Sequence, residues 1–557
     1  MSAKGDETTV IVVDDDRATR TLILEILKNE PYRVEVFSSQ EAAAEFHRKS
    51  GCSAVIYAVS ILDESAAAFL DMFRRIDSIV PVIIPGFLDY SAHSELVEHF
   101  SADGEVVLVS KPIMPQKFLE CVREAIERYR KSHLQIKHYS SVVNDIRAAS
   151  RMQALLLPDW IVCNNDLFLS SLYEPMYGIG GDLYNLIELG GRRYLIFIGD
   201  VAGHGISAAM QMSVVMGWSK TIIEQAADPD NLLPELFNRL NAYFCTEFDH
   251  RGYMTCLAVL ADCEKETLDY ISAGHMGLFR YDEREQRIDY RDPGMKGGIP
   301  IGWFQEFEYT AEDVIHETFD RDCRYFSMTD GVMDTCDINS NKMSREEFVK
   351  LLVESNVDIS QGQIPYLLAE CIEEAGYTET SDDVSIISFG RRDSTSAAVK
   401  LSAAYTVDMA NSKTFSEELH RALKGAGVDE FKLLEIELAS VEFFNNIIMH
   451  GFATRPRIRP KIMVSVALEN GRVEVTFLDR ARKFEIELPK PEEGGGFDDF
   501  LMDAEAGRGL QLIANLSDGF FRRNYHGLNV SKLYFDLSTP SAHESKAPDV
   551  KAPSFQQ

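Results

Sequence analysis

From Thr9 to about Arg130 short apolar runs, Val10–Val13, Ala54–Val59, Val80–Ile84 and Val106–Val109, alternate with amphipathic stretches. That rhythm predicts βα units wound on a parallel sheet. Leu119, Val122, Ile126, Tyr129, His133, Ile136, Ser140 and Val143 then recur at steps of three and four, which predicts a long helix with one apolar stripe. Because His133 and Ser140 interrupt the stripe, packing on a neighbouring domain and pairing with a second copy both fit it. A second block runs from about Arg151 to Phe389, between Leu157-Pro158 and the polar run Gly390–Ser396, and a third spans Lys400 to Leu537. Ser538–Gln557 is rich in Ser, Pro, Lys and Ala without apolar periodicity, the signature of a disordered tail. No internal repeat is visible. The expected divisions are 8–130, a helical connector at 131–157, 158–392, 400–538 and a tail at 539–557.

At 557 residues and roughly 150 residues per domain, three or four domains are expected. A net charge of −32 argues against a general nucleic-acid surface, since phosphate backbones are held by clustered Lys and Arg. Nine cysteines occur singly with no CxxC pair, so neither a zinc motif nor a disulfide framework is indicated, and a reducing cytoplasm is expected. No signal-like segment and no apolar stretch of roughly 20 residues appears, so no membrane association is expected.

The middle block carries four acidic motifs: Gly180-Gly181-Asp182, Gly199-Asp200-Val201-Ala202-Gly203-His204-Gly205, Thr329-Asp330-Gly331-Val332 and Ser381-Asp382-Asp383-Val384. Apolar strands at Tyr194–Ile198, Tyr325–Met328 and Val384–Ile387 place these aspartates at strand ends or turns. A single Asp-Gly pair is usually a turn, but carboxylates gathered from separate strands make a hard-oxygen cage for Mn²⁺ or Mg²⁺. In this order, with Arg151-Met152-Gln153 before them and Ala273-Gly274-His275 and Gly298-Ile299-Pro300-Ile301-Gly302 between, the motifs resemble the stage II sporulation branch of the PP2C-type (PPM) protein phosphatases. The resemblance covers roughly Met152 to Phe389. It implies an αβ-βα sandwich and a two-metal centre held by Asp182, Asp200, the Val201 carbonyl, Asp330 and Asp382, with Asp383 beside them. His204 and His275 more often serve a turn or a supporting hydrogen bond than act as general acid.

In the third block Glu437–Gly451 reads as a helix with Glu442, Asn446 and His450 four residues apart on one face. Val473–Leu478 is a strand ending in Asp479, and Gly507-Arg508-Gly509-Leu510 opens a further helix whose free amides suit phosphate. This order resembles the GHKL ATPase fold of the anti-sigma-factor serine kinases. The resemblance implies that Asn446 coordinates Mg²⁺-ATP, Glu442 acts as base, Asp479 reads the adenine amino group, and Gly507 with Gly509 shapes the lid. Ala481 stands where that family has glycine, which leaves two readings, an ATP-dependent serine kinase and a pseudo-kinase that only docks a partner.

The first block, with Asp14-Asp15 after its first strand and Lys111-Pro112 after its last, resembles the (βα)5 receiver of two-component systems. That resemblance implies Mg²⁺ at Asp14 and Asp15. Ala58 occupies the position of the phospho-accepting aspartate and Gly86 follows the fourth strand where Ser or Thr is usual, so a receiver that is not phosphorylated conventionally is expected; Asp63 is a poor substitute. Together the blocks form a multidomain α/β and α+β chain that resembles bacterial response-regulator-fused partner-switching proteins. The implied substrate is a phosphorylated STAS-domain anti-sigma-factor antagonist, with a sigma or anti-sigma factor and a second copy of the chain as further partners. The rival reading is a non-catalytic scaffold that sequesters one of them.

Overall fold

The computed structural model describes residues 8–14, 16–58, 64–86, 105–226, 228, 231–248, 252–294, 298–354, 363–392, 399–452, 459–482 and 509–538. They fall into two compact units, Met1–Asp145 and Ile146–Gln557. Asp15, Asp63, Gly507 and the expected tail lie outside the described residues.

In the first unit, β1 (Thr8–Val13), β2 (Tyr32–Phe37), β3 (Ala54–Tyr57), β4 (Val82–Gly86) and β5 (Val106–Ser110) form a parallel sheet in the order β2-β1-β3-β4-β5. Helices α1 (Arg17–Leu27), α2 (Gln40–Ser50) and α3 (Glu64–Arg74) connect them. Both faces of the sheet are apolar, with Val10, Val12 and Ile56 in one cluster and Ile11, Val13 and Val55 in the other, which is why these runs lack alternation. Asp16 caps α1 by accepting the amides of Ala18 and Thr19. Helix α4 (Pro115–Leu156) is continuous through the expected connector. Its stripe is buried at Val122 and Ile126, and Tyr129 donates its hydroxyl to Asp77 (2.9 Å). Further along, Leu134, Ile136 and Tyr139 are exposed.

The second unit begins with two antiparallel sheets. One contains β8 (Leu183–Gly190), β9 (Arg193–Val201), β10 (Met254–Asp262), β11 (Thr267–Ala273) and β14 (Ile315–Thr318), ordered β14-β11-β10-β9-β8. The other contains β6 (Ile161–Cys163), β7 (Leu167–Glu174), β12 (Leu278–Asp282), β13 (Arg287–Arg291), β15 (Cys323–Met328) and β16 (Val384–Arg391), ordered β13-β12-β15-β16-β7-β6. Leu169, Tyr325, Ile387 and Phe389 of the second sheet join Phe197, Leu257 and Tyr270 of the first in one core cluster. Helices α5 (Ile206–Gln225) and α6 (Leu232–Glu247) add Met212, Val215 and Phe237 to that cluster. On the opposite face of the second sheet, Phe326, Met328 and Ile386 pack with α8 (Ile364–Glu374), which follows α7 (Arg345–Glu354). The result is the αβ-βα sandwich that period-2 strands with two apolar faces require.

A third sheet, β17-β18-β19-β21-β20, is built from β17 (Val399–Thr406), β18 (Lys461–Glu469), β19 (Arg472–Asp479), β20 (Gly519–Tyr525) and β21 (Leu528–Asp536). Helices α9 (Ala410–Gly425), α10 (Glu430–Asn446) and α11 (Gly509–Leu516) share its larger core, in which Phe415, Phe443, Phe444 and Phe477 meet. The expected helix to Gly451 changes pitch: it is α-helical to Asn446 and then a π-helical turn at Ile447–Gly451, a widened geometry that recurs at functional sites. The other face of this sheet presents Met463, Leu478, Tyr525, Leu528 and Val530 to Trp160, Tyr366 and Leu367 of the sandwich. Lys461 reinforces the contact through Asp159 (2.6 Å).

Candidate metal centre and nucleotide site

Asp200 lies within β9, opposite Thr255 of β10, and Asp182 directly precedes β8, whose first residue pairs with Gly199. Asp330 and Asp382 enter from the ends of β15 and β16 in the facing sheet. Close approach makes two glycines indispensable. A Cβ on Gly181 would lie 2.6 Å from the Val201 carbonyl oxygen, and one on Gly331 only 2.0 Å from the Asp383 carbonyl oxygen.

Asp182 is buried, and its Oδ2 accepts a hydrogen bond from Thr329 Oγ1 (2.8 Å), which in turn accepts the Ser385 amide (3.0 Å). Asp182 Oδ1 makes no hydrogen bond among the described residues, although the Ser385 hydroxyl lies near enough to favour the ionised carboxylate. Burial raises the Asp182 carboxyl well above the usual range, and the neighbouring Asp200 raises it further. Asp200 is pushed up to about 8 by burial and by Asp330, Asp382 and Asp383. Asp330 is raised by burial and then by Asp382. Carboxyl groups that mutually oppose ionisation, one with an unfilled buried oxygen, are what a divalent cation relieves, and an all-oxygen donor set suits Mg²⁺ or Mn²⁺. No three of these aspartates bring one carboxylate oxygen each within 4.8 Å of one another. A set with all donor atoms within 4.8 Å of one another exists elsewhere among the described residues, at Glu370, Glu373 and His526.

Asp383 uses both oxygens on the backbone, accepting the amides of Met176 (2.8 Å) and Gly181 (2.7 Å), so it shapes the loop that carries Asp182. Thr329, which sequence reasoning did not single out, aligns Asp182; its place beside Asp330 was the available signal. His275 is buried with Nδ1 against Thr255 Oγ1 (3.0 Å), and burial takes it down to about 4, so it is neutral at physiological pH. It supports Thr255, the partner of Asp200, rather than holding a proton for a leaving group. His204 packs against Tyr177 in a tilted arrangement, with ring centroids 5.3 Å apart.

The acid pattern predicts a linkage between pH and metal. Unfolded Asp titrates near about 3.9, so in metal-free protein the stability contributed by protonated Asp200 falls as pH rises through about 8. Mn²⁺ binds the ionised carboxylates, so its increment in Tm should grow from pH 6 to 8 and shrink in Asp200→Asn. Thermal melts with Mn²⁺ and with EDTA test this; a pH-independent increment contradicts it.

In the third sheet Asp479 is fully buried and accepts the Ala481 amide (2.9 Å) and Asn529 Nδ2 (2.8 Å). Ala481 is itself buried and is not among the described non-glycine residues with positive φ, so its methyl brings no backbone strain. Glu442 faces the start of α11, where a Cβ on Gly509 would lie 2.1 Å from its Oε1. Asn446 stands at the junction of α10 and the π-helical turn, its Nδ2 buried with no acceptor among the described residues. In the first sheet, Asp14 Oδ1 accepts the Asp16 amide (2.7 Å), the Ala58 amide donates to the Val13 carbonyl (3.0 Å), and the Lys111 amide donates to the Gly86 carbonyl (3.0 Å). The strand ends thus converge as in a receiver, with a methyl at Ala58.

Residues 190–392 match the Stage II sporulation protein E (SpoIIE) family, residues 405–531 the Histidine kinase-like ATPase domain, and residues 10–123 the Response regulator receiver domain. The chain therefore combines a receiver domain, a SpoIIE-type domain and a histidine-kinase-like ATPase domain. It is similar to the phosphoserine phosphatase RsbP of Bacillus subtilis (strain 168), with 29% identity over 191 residues that cover 34% of this chain and 45% of RsbP. Similarity to the phosphoserine phosphatase RsbU of the same organism is 23% over 251 residues, covering 45% of this chain and 71% of RsbU. The chain thus spans just under half the length of RsbP. Among solved structures, the RsbU and RsbW domains of Rv1364c from Mycobacterium tuberculosis align at 19% identity, TM-score 0.33, covering 67% of this chain and 93% of that one. The SiaA-PP2C domain of Pseudomonas aeruginosa aligns at 21% identity, TM-score 0.38, covering 46% and 99%.

Proposed function

We propose that the chain is a metal-dependent protein-serine/threonine phosphatase that dephosphorylates a STAS-type anti-sigma-factor antagonist in the bacterial cytoplasm, with the ATPase domain acting in the same pathway. The observation that carries this reading is the group of carboxyls at Asp182, Asp200 and Asp330, each raised by burial and by neighbouring aspartates that include Asp382, with a buried Asp182 oxygen that makes no hydrogen bond among the described residues. Two bound cations would supply Lewis-acid contacts to the phosphoryl oxygens and a nucleophilic water at neutral pH. The protein's own part is positional. Thr329 fixes the Asp182 carboxylate, Asp383 fixes the loop through its two backbone amides, and Gly181 and Gly331 allow the close approach. No side-chain nucleophile is required. Mn²⁺-dependent phosphate release from a phosphoserine STAS protein, abolished by EDTA, is the direct test; equal release with EDTA refutes the assignment.

The ATPase domain is read as an ATP-Mg²⁺ site with Asn446 and Glu442 at its centre, Asp479 at the adenine and Gly509 at the lid. No helix among the described residues is long and apolar enough to cross a membrane. Asn446→Ala should weaken ATP-Mg²⁺ binding at least tenfold by calorimetry, whereas a domain that only docks a sigma or anti-sigma partner would show no nucleotide heat in either form.

A further inference from the structure

We propose that Glu370, Glu373 and His526 form a second divalent-metal site, suited to Zn²⁺, that joins the ATPase domain to the phosphatase domain. His526 sits at the turn between β20 and β21 with φ of 42°, and Gly527 follows at 85°. Asn524 Oδ1 accepts the Gly527 amide, which tightens the turn and projects the imidazole away from its own sheet. Glu370 and Glu373 are one helical turn apart on α8, hence on one face of it. One donor atom from each of the three residues lies within 4.8 Å of the other two. Tetrahedral zinc with bonds of ~2.1 Å separates its donors by about 3.4 Å, a contraction within reach of glutamate rotamers.

The surroundings favour a cation. His526 Nε2 is 2.9 Å from Glu174 Oε2, while Nδ1 faces Glu373 Oε2 at 3.2 Å. A carboxylate holding one imidazole nitrogen so that the other points at a donor cluster is the usual arrangement around a metal-bound histidine. Glu370 accepts the His526 backbone amide with Oε2 (2.7 Å), leaving its other oxygen for an ion. Three carboxylates surround one imidazole, so the group stays negative even with His526 protonated. Of the nearby arginines, Arg523 pairs with Glu374 (3.2 Å), while Arg480 stacks over Tyr366 and also lies close enough to Glu174 to favour its ionised form. The nitrogen donor favours zinc here, whereas the all-oxygen aspartate centre favours Mg²⁺ or Mn²⁺.

Beside the cluster is a cavity of about 190 Å³ lined by Glu174, Glu373 and His526 together with Val332 and Val384. Val332 lies two residues after Asp330, and Val384 directly follows Asp383. An ion at the junction would therefore fix the ATPase hairpin against segments that carry the aspartates.

The test uses the full chain, stripped with EDTA and dialysed against Zn²⁺ in excess Mg²⁺, with bound zinc measured by atomic emission. Wild type and Asp200→Asn should each retain one equivalent. His526→Asn, chosen because Asn tolerates positive φ, and the exposed-site change Glu373→Gln should lose it, and Glu174→Gln should weaken binding by about tenfold. Zn²⁺ should also raise the Tm of wild type but not of Glu373→Gln. Absence of retained zinc in wild type, or its retention in both His526→Asn and Glu373→Gln, overturns the proposal and reduces the cluster to ion pairs of a protonated histidine.

Discussion

Replacing Asp200 or Asp330 by Ala should lower Mn²⁺-dependent dephosphorylation of a phosphoserine protein by about a thousandfold or more. A Lewis-acid centre stabilises the transition state by several kcal/mol, and about 4 kcal/mol corresponds to that factor in rate. The Asp200 substitution also removes a charge that Asp330, Asp382 and Asp383 oppose. Metal-free Asp200→Ala should therefore melt no lower than wild type at pH 8, because its loss relieves repulsion among buried carboxyls. Activity and stability move apart only if Asp200 is there for the cation. Steady-state kinetics with melts in EDTA measure both, and a rate within threefold of wild type in either variant would remove the two-metal reading.

Gly331→Ala is expected to be nearly as damaging without touching a charge. Its Cβ would meet the Asp383 carbonyl oxygen at 2.0 Å, a backbone atom that cannot swing aside. Asp383 in turn holds the Met176 and Gly181 amides, so displacing it disturbs the loop bearing Asp182, while Asp330 is the neighbour of the substituted residue. Overpacking of this kind costs about 1–3 kcal/mol, and a 1 Å displacement of a catalytic group costs about a hundredfold in rate. Gly217→Ala is the control: it lies in α5 with open space around its Cβ and should raise stability by about 0.5–1 kcal/mol. If Gly331→Ala and Gly217→Ala behave alike, the close contact at Asp383 is not real.

The receiver strands were legible because a buried parallel sheet needs uninterrupted apolar runs, and Val10–Val13 and Val106–Val109 supply them. The strand-end positions of Asp182, Asp200, Asp330 and Asp382 were legible because each stands beside a glycine or at a strand boundary. Thr329 was not, since a threonine before Asp-Gly looks like any turn residue until Asp182 is placed against it from 147 residues away. Asp383 was legible as a neighbour of the metal ligands, but only coordinates show its two oxygens accepting the Met176 and Gly181 amides. The change of pitch after Asn446 was equally hidden, because four-residue spacing reads the same whether the next turn is α or π.

By itself the sequence determined local order: which runs become strands or helices, that the chain divides into α/β and α+β blocks, that the carboxylates sit at strand ends, and that the receiver lacks its acceptor at Ala58. Those properties follow from side-chain periodicity and residue type, which act over a few residues. Tertiary structure decided which strand ends converge, how far burial raises the Asp200 carboxyl, and that the ATPase sheet lays Met463, Leu478 and Tyr525 on α8 with His526 among glutamates. Such outcomes depend on distances between residues remote in the chain, and desolvation and Coulomb interaction arise only once packing has excluded water and fixed those distances.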